Sequence, residues 1–223
     1  MKKYILILIF CAIGLLKSYA QEPPAVQLTK PINPPISVEL FGGSKYGTFQ
    51  NFISKKFTPT SRFGLYHIAT YNVDYKSALN NTMVIQSIAN VELFKGLTGG
   101  VGGYMSTVGF HPIAALQYTY SGKTLFATVL PTVNMASQNY QSLLMIIQYR
   151  PVVTDKVKLY SRLQVYNSFT NFDTRTYTYE QLRLGLEVSK TQFGVGVTFE
   201  QYQGQLNLQN ANVGFFIRKE IFN

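Results

Sequence analysis

The chain has 223 residues, a formal charge of +10, 13% charged residues and one cysteine, Cys11. Its basic residues never form a run of five or more, so the charge argues against nucleic acid as a partner. It favours anionic lipid head groups or an anionic solute. The chain also has 16 tyrosines, 16 phenylalanines and 17 glycines. This composition is unusual for a soluble domain and suits a membrane barrel.

Residues 1 to 20 have the pattern of a cleaved secretory signal peptide. Lys2 and Lys3 precede an apolar run from Tyr4 to Leu16, and Ser18-Tyr19-Ala20 forms a small-x-small cleavage site. The run is shorter than the roughly 20 apolar residues that a transmembrane helix needs. Cleavage would remove Cys11, and with it any disulfide, thiol chemistry or cysteine-based metal site.

Residues 21 to 57 are predicted to lie outside the barrel wall. Residues 21 to 35 are proline-rich and polar, which favours an extended leader. Ile36 to Phe41 is a short strand candidate, but counting it as a spanning strand would make the total odd, and bacterial single-chain barrels have an even number. We therefore expect the leader and this segment in the lumen or at the periplasmic rim, with the barrel formed by residues 58 to 223.

Alternation of apolar and polar residues fills the remaining chain. In Phe193, Val195, Val197 and Phe199 one parity is wholly apolar, and the same pattern recurs near residues 156–165, 181–188 and 212–218. Period-2 alternation places the two sets on opposite faces of a strand. A soluble sandwich would alternate in the same way, but segments of about ten or more residues approach the length of a tilted transmembrane strand.

The predicted fold is all-β, an antiparallel transmembrane up-and-down β-barrel. Candidate strands lie near residues 58–74, 82–94, 97–108, 112–121, 123–133, 139–149, 156–167, 177–189, 191–202 and 206–220. We expect about ten strands, with twelve as the main alternative if another strand lies in residues 33 to 57. Short connections at 95–96, 121–123 and 189–191 alternate with longer ones at 75–81, 134–138 and 168–176. The short set is predicted to face the periplasm and the longer set the outside.

The mature chain resembles the small outer-membrane β-barrel superfamily of Gram-negative bacteria. The resemblance rests on the alternating strands, the terminal segment Val213 to Phe222, and aromatic strand ends at Tyr118, Tyr120, Tyr160, Tyr166, Tyr177 and Tyr179. It implies a location in the cell outer membrane, contact with outer-membrane lipid and lipopolysaccharide, and recognition by the barrel assembly machinery. Such barrels commonly end in an aromatic residue. Here Phe222 is penultimate and the apolar parity runs into Lys219, so this signal departs from the pattern.

Six charged side chains are predicted to face the lumen, because a charge facing lipid would cost several kcal/mol. They are Glu92, Arg162, Arg183, Glu187, Glu200 and Arg218. They could form a structural plug of ion pairs and hydrogen bonds, or line a selective passage for small polar or anionic solutes. The inward glycines Gly185, Gly194, Gly196 and Gly214 would leave space for such a passage.

A catalytic site at the outer rim is the first alternative function. His111 is predicted in an outer turn, and Asp74, Ser168 and Asp173 on outer loops. A histidine with an aspartate and a serine is the minimal set for a hydrolase. Such a site would act as a hydrolase or acyltransferase on lipid or lipopolysaccharide. The spacing does not bring these residues together, so the sequence favours a barrel without a catalytic site.

Other motifs add constraints. The parity of His67 points it toward lipid unless the strand carries a bulge, and we expect it to be structural. Two distant histidines make no metal site, and no phosphate loop, EF-hand or HExxH motif occurs, so neither a metal nor another cofactor is expected. A binding or adhesion barrel using its outer loops is a second alternative, disfavoured by modest loop lengths. A secreted β-sandwich or lipocalin-like protein would need no detergent.

Overall fold

The computed structural model describes residues 34–107, 109–136, 140–202 and 211–221. The strands are β1 (Ile36–Gly43), β2 (Tyr46–Lys56), β3 (Phe63–Asp74), β4 (Thr82–Phe94), β5 (Leu97–Ser106), β6 (Gly109–Ser121), β7 (Leu125–Asn134), β8 (Tyr140–Tyr149), β9 (Val152–Thr154), β10 (Val157–Thr170), β11 (Thr174–Val188), β12 (Thr191–Tyr202) and β13 (Asn212–Ile221). A 3-10 turn spans Ala78–Asn80 between β3 and β4. Within the described ranges no helix is long and apolar enough to cross a membrane.

The strands close into an antiparallel barrel. Each long strand pairs with its neighbours in sequence, and β8 pairs with β10 because β9 is a three-residue strand at the start of β10. The first and last strands also pair, with Ile36 opposite Ile221 and Gly43 opposite Gly214. The ring therefore has twelve long strands, which confirms the predicted fold class with the strand number of the twelve-strand alternative.

The two strands that complete the ring come from the segment placed outside the barrel wall. β1 contains Ile36 to Phe41 and lies between β13 and β2, so its predicted position in the lumen or at the rim is wrong. An edge strand within a bilayer would leave backbone groups without hydrogen bonds, and pairing on both sides avoids that cost. β2 was missed because its outward parity carries Asn51 and Lys55 beside Phe49 and Ile53, which weakens the alternation.

The connections differ between the two ends of the barrel. We call the end where β1 begins and β13 ends the terminal rim, and the opposite end the loop rim. Terminal-rim connections include residues 95–96 and 189–190, and loop-rim connections include 75–81 and 171–173. Ser189 and Lys190 both have positive φ, 49° and 65°, which matches the two-residue hairpin turn that the strand twist requires. The predicted short and long connections therefore lie at opposite ends, but the connection predicted at 168–176 is shorter than expected, since β10 and β11 leave only residues 171–173 between them.

The exterior is apolar along the strands, whereas the interior combines polar side chains with aromatic and aliphatic ones. Outward residues of β10 to β13 are exposed and hydrophobic, including Leu163, Leu184, Val195 and Phe215. The inward parity of the same strands is buried, including Gln164, Gln181, Gln192 and Asn212. A soluble sandwich would have the opposite distribution. The closed ladder, apolar exterior and polar lumen define a transmembrane β-barrel.

The lumen contains an apolar core on one side. We call the lumen face of β2 to β8 the apolar half, because it contains the larger hydrophobic cluster, formed by Phe52, Tyr66, Ile68, Ile88, Ile113, Phe126, Leu130, Leu144 and Ile146. Buried polar side chains such as Gln86, Gln117 and Gln148 lie on the same strands. We call the lumen face of β1 and β10 to β13 the charged half, because its buried side chains include three carboxylates and three guanidiniums. The predicted signal peptide and Phe222 lie outside the described residues.

Candidate functional site

Three arginines of the charged half surround one glutamate. Arg162 lies on β10, Arg183 on β11, Arg218 on β13 and Glu39 on β1, and each side chain is at most 3% exposed. Arg183 Nε donates to Glu39 Oε1 at 3.0 Å. Arg162 Nη1 and Arg218 Nη1 each lie 3.7 Å from Glu39 Oε2. We call these four side chains the arginine layer.

Other side chains hold Arg162 and Arg218 in place independently of Glu39. Arg162 Nη1 donates to Gln181 Oε1 at 2.6 Å, and its Nη2 donates to Gln50 Oε1 at 2.8 Å and also to Gln164 Oε1. Arg218 Nη2 donates to Ser37 Oγ at 2.6 Å. These bonds fix the guanidinium positions from several strands.

Arg183 is held by backbone and by an aromatic ring. Its Nη1 donates to the carbonyl oxygens of Leu182 and Val197 at 3.1 Å and 3.2 Å. Its guanidinium carbon lies 3.9 Å from the centroid of the Phe41 ring, a cation–π geometry. A Cβ at Gly196 would lie 2.6 Å from Arg183 Cδ, so this glycine makes room for the arginine.

The space predicted beside the inward glycines is not open. At Gly185, Gly194 and Gly214 an added Cβ would meet backbone of the adjoining strands, whereas at Gly196 it would meet Arg183. These glycines allow strands and an arginine to approach closely. The prediction that they leave room for a solute is therefore wrong.

The layer carries an excess of positive charge. Three guanidiniums and one carboxylate give +3 − 1 = +2. Among the described side chains, Arg162 Nε, Arg183 Nη2, Arg218 Nε and Glu39 Oε2 have no hydrogen-bond partner. Buried charges are costly unless they are paired and hydrogen-bonded, so this layer is only partly satisfied by the protein itself.

A vestibule lies between the arginine layer and the loop rim. Its inner cavity has a volume of about 240 Å³ and is walled by Tyr104, Tyr140, Tyr166, Tyr177 and Tyr179, with Gln86, Gln164 and Glu200 among the polar lining residues. A second cavity of about 680 Å³ shares Asn72, Thr82, Thr107 and Glu200 with the first and reaches loop residues such as Lys45 and Asn80. The two cavities therefore adjoin each other.

The floor of the vestibule is linked to the arginine layer. Gln164, which lines the inner cavity, accepts a hydrogen bond from Arg162. Gln181, another partner of Arg162, donates to Tyr179 Oη at 2.9 Å, and Tyr179 also lines the cavity. The arginines thus lie immediately beyond the vestibule wall.

The other predicted lumen charges lie away from this layer. Glu187 pairs with Arg150 and Lys158, at 3.4 Å in each case, near the terminal rim. Glu92 pairs with Lys56 at 2.7 Å, also toward that rim. Glu200 accepts from Tyr46 Oη at 2.9 Å in the vestibule. Of the six charges predicted to face the lumen, only the three arginines meet in one layer.

The predicted catalytic residues do not form a hydrogen-bonded pair. His111 lies within β6, not in a turn, because β5 and β6 continue to Ser106 and Gly109; its ring lies 3.3 Å from Asn134 Nδ2. Ser168 lies within β10 and is 2.8 Å from Thr176 Oγ1.

The two aspartates form hydrogen bonds with other residues and not with His111 or Ser168. Asp74 ends β3 and accepts from the backbone N–H groups of Lys76 and Ser77 at 2.8 Å and 2.9 Å. Asp173 lies in the turn between β10 and β11, and its backbone N–H donates to Thr170. Hydrogen bonds among the described residues therefore connect none of these groups as nucleophile and base.

His67 points outward, as its parity predicts, and no bulge interrupts its pairing. Its Nδ1 lies 2.8 Å from Ser87 Oγ on the neighbouring strand, which satisfies a polar group on the apolar exterior. In the part of the chain that the structure describes, no three histidine, cysteine, aspartate or glutamate side chains are grouped to hold a metal ion.

Sequence reasoning missed Glu39, Gln50 and Ser37. All three lie on β1 and β2, and their inward parity becomes apparent only when these segments are taken as spanning strands. The alternation Ser37, Glu39, Phe41 against Val38, Leu40 was the available signal.

No family model and no curated protein matches the chain. Among solved structures, the NanC porin has 10% identity over 85% of this chain and 99% of its own, with a TM-score of 0.46. The KdgM porin has 11% identity over 82% and 97%, with a TM-score of 0.46. The KdgM porin in complex with disordered oligogalacturonate has 10% identity over 82% of this chain and 97% of its own, with a TM-score of 0.47. The barrel assignment rests on the strand ladder of this chain itself.

Proposed function

We propose that the protein is an integral outer-membrane β-barrel that lets small polar or anionic solutes pass. The vestibule that leads from the loop rim to the arginine layer carries this proposal. A purely structural barrel does not require a tyrosine-walled cavity of about 240 Å³ that ends at an uncompensated cluster of guanidiniums. Solutes would enter at the loop rim and meet the arginines beyond the floor of the vestibule.

The proposed orientation places the loop rim outside the cell and the terminal rim in the periplasm. The signal peptide predicted from residues 1 to 20 supports export. The apolar exterior would contact outer-membrane lipid and lipopolysaccharide, and insertion would depend on the barrel assembly machinery. The basic balance of the chain suits anionic head groups at the membrane surface.

A preference for anions follows from the charge of the arginine layer. Its net +2 lies among side chains that are at most 3% exposed, where charge interactions are screened less than in water. Because these side chains fill the layer, conduction requires them to rearrange. The layer would therefore act as a gate as well as a selectivity element.

The test is conductance of the chain without residues 1 to 20 in planar lipid bilayers. A shift in gel migration on boiling must first show that the barrel is folded. We expect stable unit conductance, and a change of unit conductance in Arg218→Gln, because this substitution lowers the charge of the layer without touching the vestibule. A folded barrel without conductance would overturn the passage role and leave a structural one.

A further inference from the structure

We infer that Arg162, Arg183 and Arg218 form a binding site for the carboxylate or phosphate group of a small oxyanion, and that Glu39 is a built-in competitor for this site. The inference deepens the proposed function and rests on it for the route by which the anion arrives. It assigns the solute class and the residue that controls its affinity.

The first support is that the guanidiniums are held in place without Glu39. Arg162 has three glutamine partners on three strands, and Arg218 has Ser37. Arg183 has two backbone carbonyls and the Phe41 ring. A guanidinium fixed by neutral partners keeps its charge and its remaining donors available to an anion.

The second support is that Glu39 satisfies the arginines incompletely. Only Arg183 reaches it at hydrogen-bond distance, whereas Arg162 and Arg218 lie 3.7 Å from Oε2. Each arginine retains a donor nitrogen with no partner among the described side chains. An oxyanion supplies several acceptor oxygens, and guanidiniums bind such groups through paired hydrogen bonds. Arginines converging from three strands match that requirement better than one carboxylate does.

The third support is the position of the cluster. It lies directly beyond the vestibule floor, where Gln164 joins Arg162 to the cavity. Glu39 enters from β1, on a different strand from every arginine. A solute anion reaching this layer must therefore displace Glu39 from the arginines, and the carboxylate weakens its binding. Removal of the Glu39 charge should raise the affinity for oxyanions.

The test measures anion-dependent stability of the folded barrel in detergent. Wild type, Glu39→Gln and the control Glu180→Gln are heated in increasing inorganic phosphate or acetate, with chloride at matched ionic strength. The fraction that keeps the folded gel mobility is recorded. Glu180 is on β11 with outward parity, next to Gln181. A ligand that binds the native state stabilises it by mass action.

We expect Glu39→Gln to reach half-maximal protection at an oxyanion concentration about tenfold lower than wild type, with Glu180→Gln unchanged. Arg218→Gln should need about tenfold more than wild type. This second variant decides the question if Glu39→Gln does not refold. Protection by phosphate alone or by acetate alone would support the inference and assign the solute to the phosphates or to the carboxylates.

Equal anion dependence in wild type, Glu39→Gln and Arg218→Gln would overturn the inference, as would equal protection by chloride. The anion site and the passage role can be tested independently of each other. An electrically silent barrel in which Glu39→Gln gains protection would keep the anion site and lose the passage. A conducting barrel without such a gain would keep the passage and lose the site.

Discussion

The two halves of the lumen are both buried, but only one of them contains a cluster of charged side chains. The apolar half packs aromatic and aliphatic side chains, as between Phe52, Tyr66 and Phe126, whose rings meet edge to face. The arginine layer of the charged half packs three guanidiniums and a carboxylate among glutamines. Apolar packing needs no partner of matching geometry, whereas every buried charge needs one.

The difference indicates what each half does. A buried ion pair often stabilises a protein no better than apolar residues of similar size, because desolvation offsets the attraction. The apolar half shows that this barrel can pack its lumen with aliphatic, aromatic and uncharged polar residues. The charged half is therefore better explained by a role toward a solute than by a contribution to stability.

The largest expected effect is on the charged half. Arg183→Gln should lower the free energy of unfolding by about 3–5 kcal/mol, because it leaves Glu39 without its hydrogen-bonded partner. Urea titration of the refolded barrel measures this change. Arg175→Gln, at the exposed start of the same strand, should leave the unfolding midpoint within error. Equal effects at the two positions would contradict the distinction between layer and rim.

A cavity created in the apolar half should lower the free energy of unfolding by about as much as Arg183→Gln does, or by slightly less. Leu130 is 1% exposed, and Leu130→Ala should lower the free energy of unfolding by about 2–5 kcal/mol. Its neighbour Val129 faces outward and is 37% exposed, so Val129→Ala provides the matched control. Because Leu130 is not in the arginine layer, ion selectivity should not change. A selectivity change in Leu130→Ala would show that the two halves are not separate.

Because the exterior faces lipid, an arginine placed on it should destabilise the barrel by a somewhat smaller amount, which depends on the depth of the residue in the bilayer. Leu163 lies near the middle of β10 and faces outward, so Leu163→Arg should cost about 2–4 kcal/mol on refolding into bilayers. Ile221→Arg, at the terminal rim, should cost about 0–1 kcal/mol. Equal costs at the two depths would contradict a membrane around the barrel.

The smallest effect is expected for the ion pair near the terminal rim. Lys56 and Glu92 are 38% and 24% exposed, and their 2.7 Å contact is reached by solvent. Lys56→Gln should therefore change the free energy of unfolding by at most about 1 kcal/mol. The same urea titration applies. A loss comparable to that of Arg183→Gln would mean that this rim is far less solvated than its exposure indicates.

The sequence was most informative where the alternation is clean. The outward parities of β10 to β13 are mostly apolar, and Arg162, Arg183 and Arg218 were placed in the lumen from that pattern. Ile36 to Phe41 of β1 was recognised as a strand but placed outside the wall because it is short. β2 was missed because it carries Asn51 and Lys55 on its outward face. Because Glu39 lies on β1, its inward position was not predicted either. The sequence thus predicted three of the four members of the layer, without their partner.

Contacts across the lumen could not be predicted from the sequence. Period-2 alternation fixes the face of a side chain but not which distant strand lies opposite, and Arg183 and Glu39 are separated by 144 positions. The glycines illustrate the same limit. Gly196 is inward as predicted, but only the packing of Arg183 shows that its space is occupied.

The most direct test of the account is the reversal potential of the reconstituted barrel across a KCl gradient. The excess charge of the arginine layer predicts a potential displaced toward the equilibrium potential of chloride, with a smaller displacement in Arg218→Gln. A potential displaced toward that of potassium, or one that Arg218→Gln leaves unchanged, would contradict the claim that this layer selects the solute.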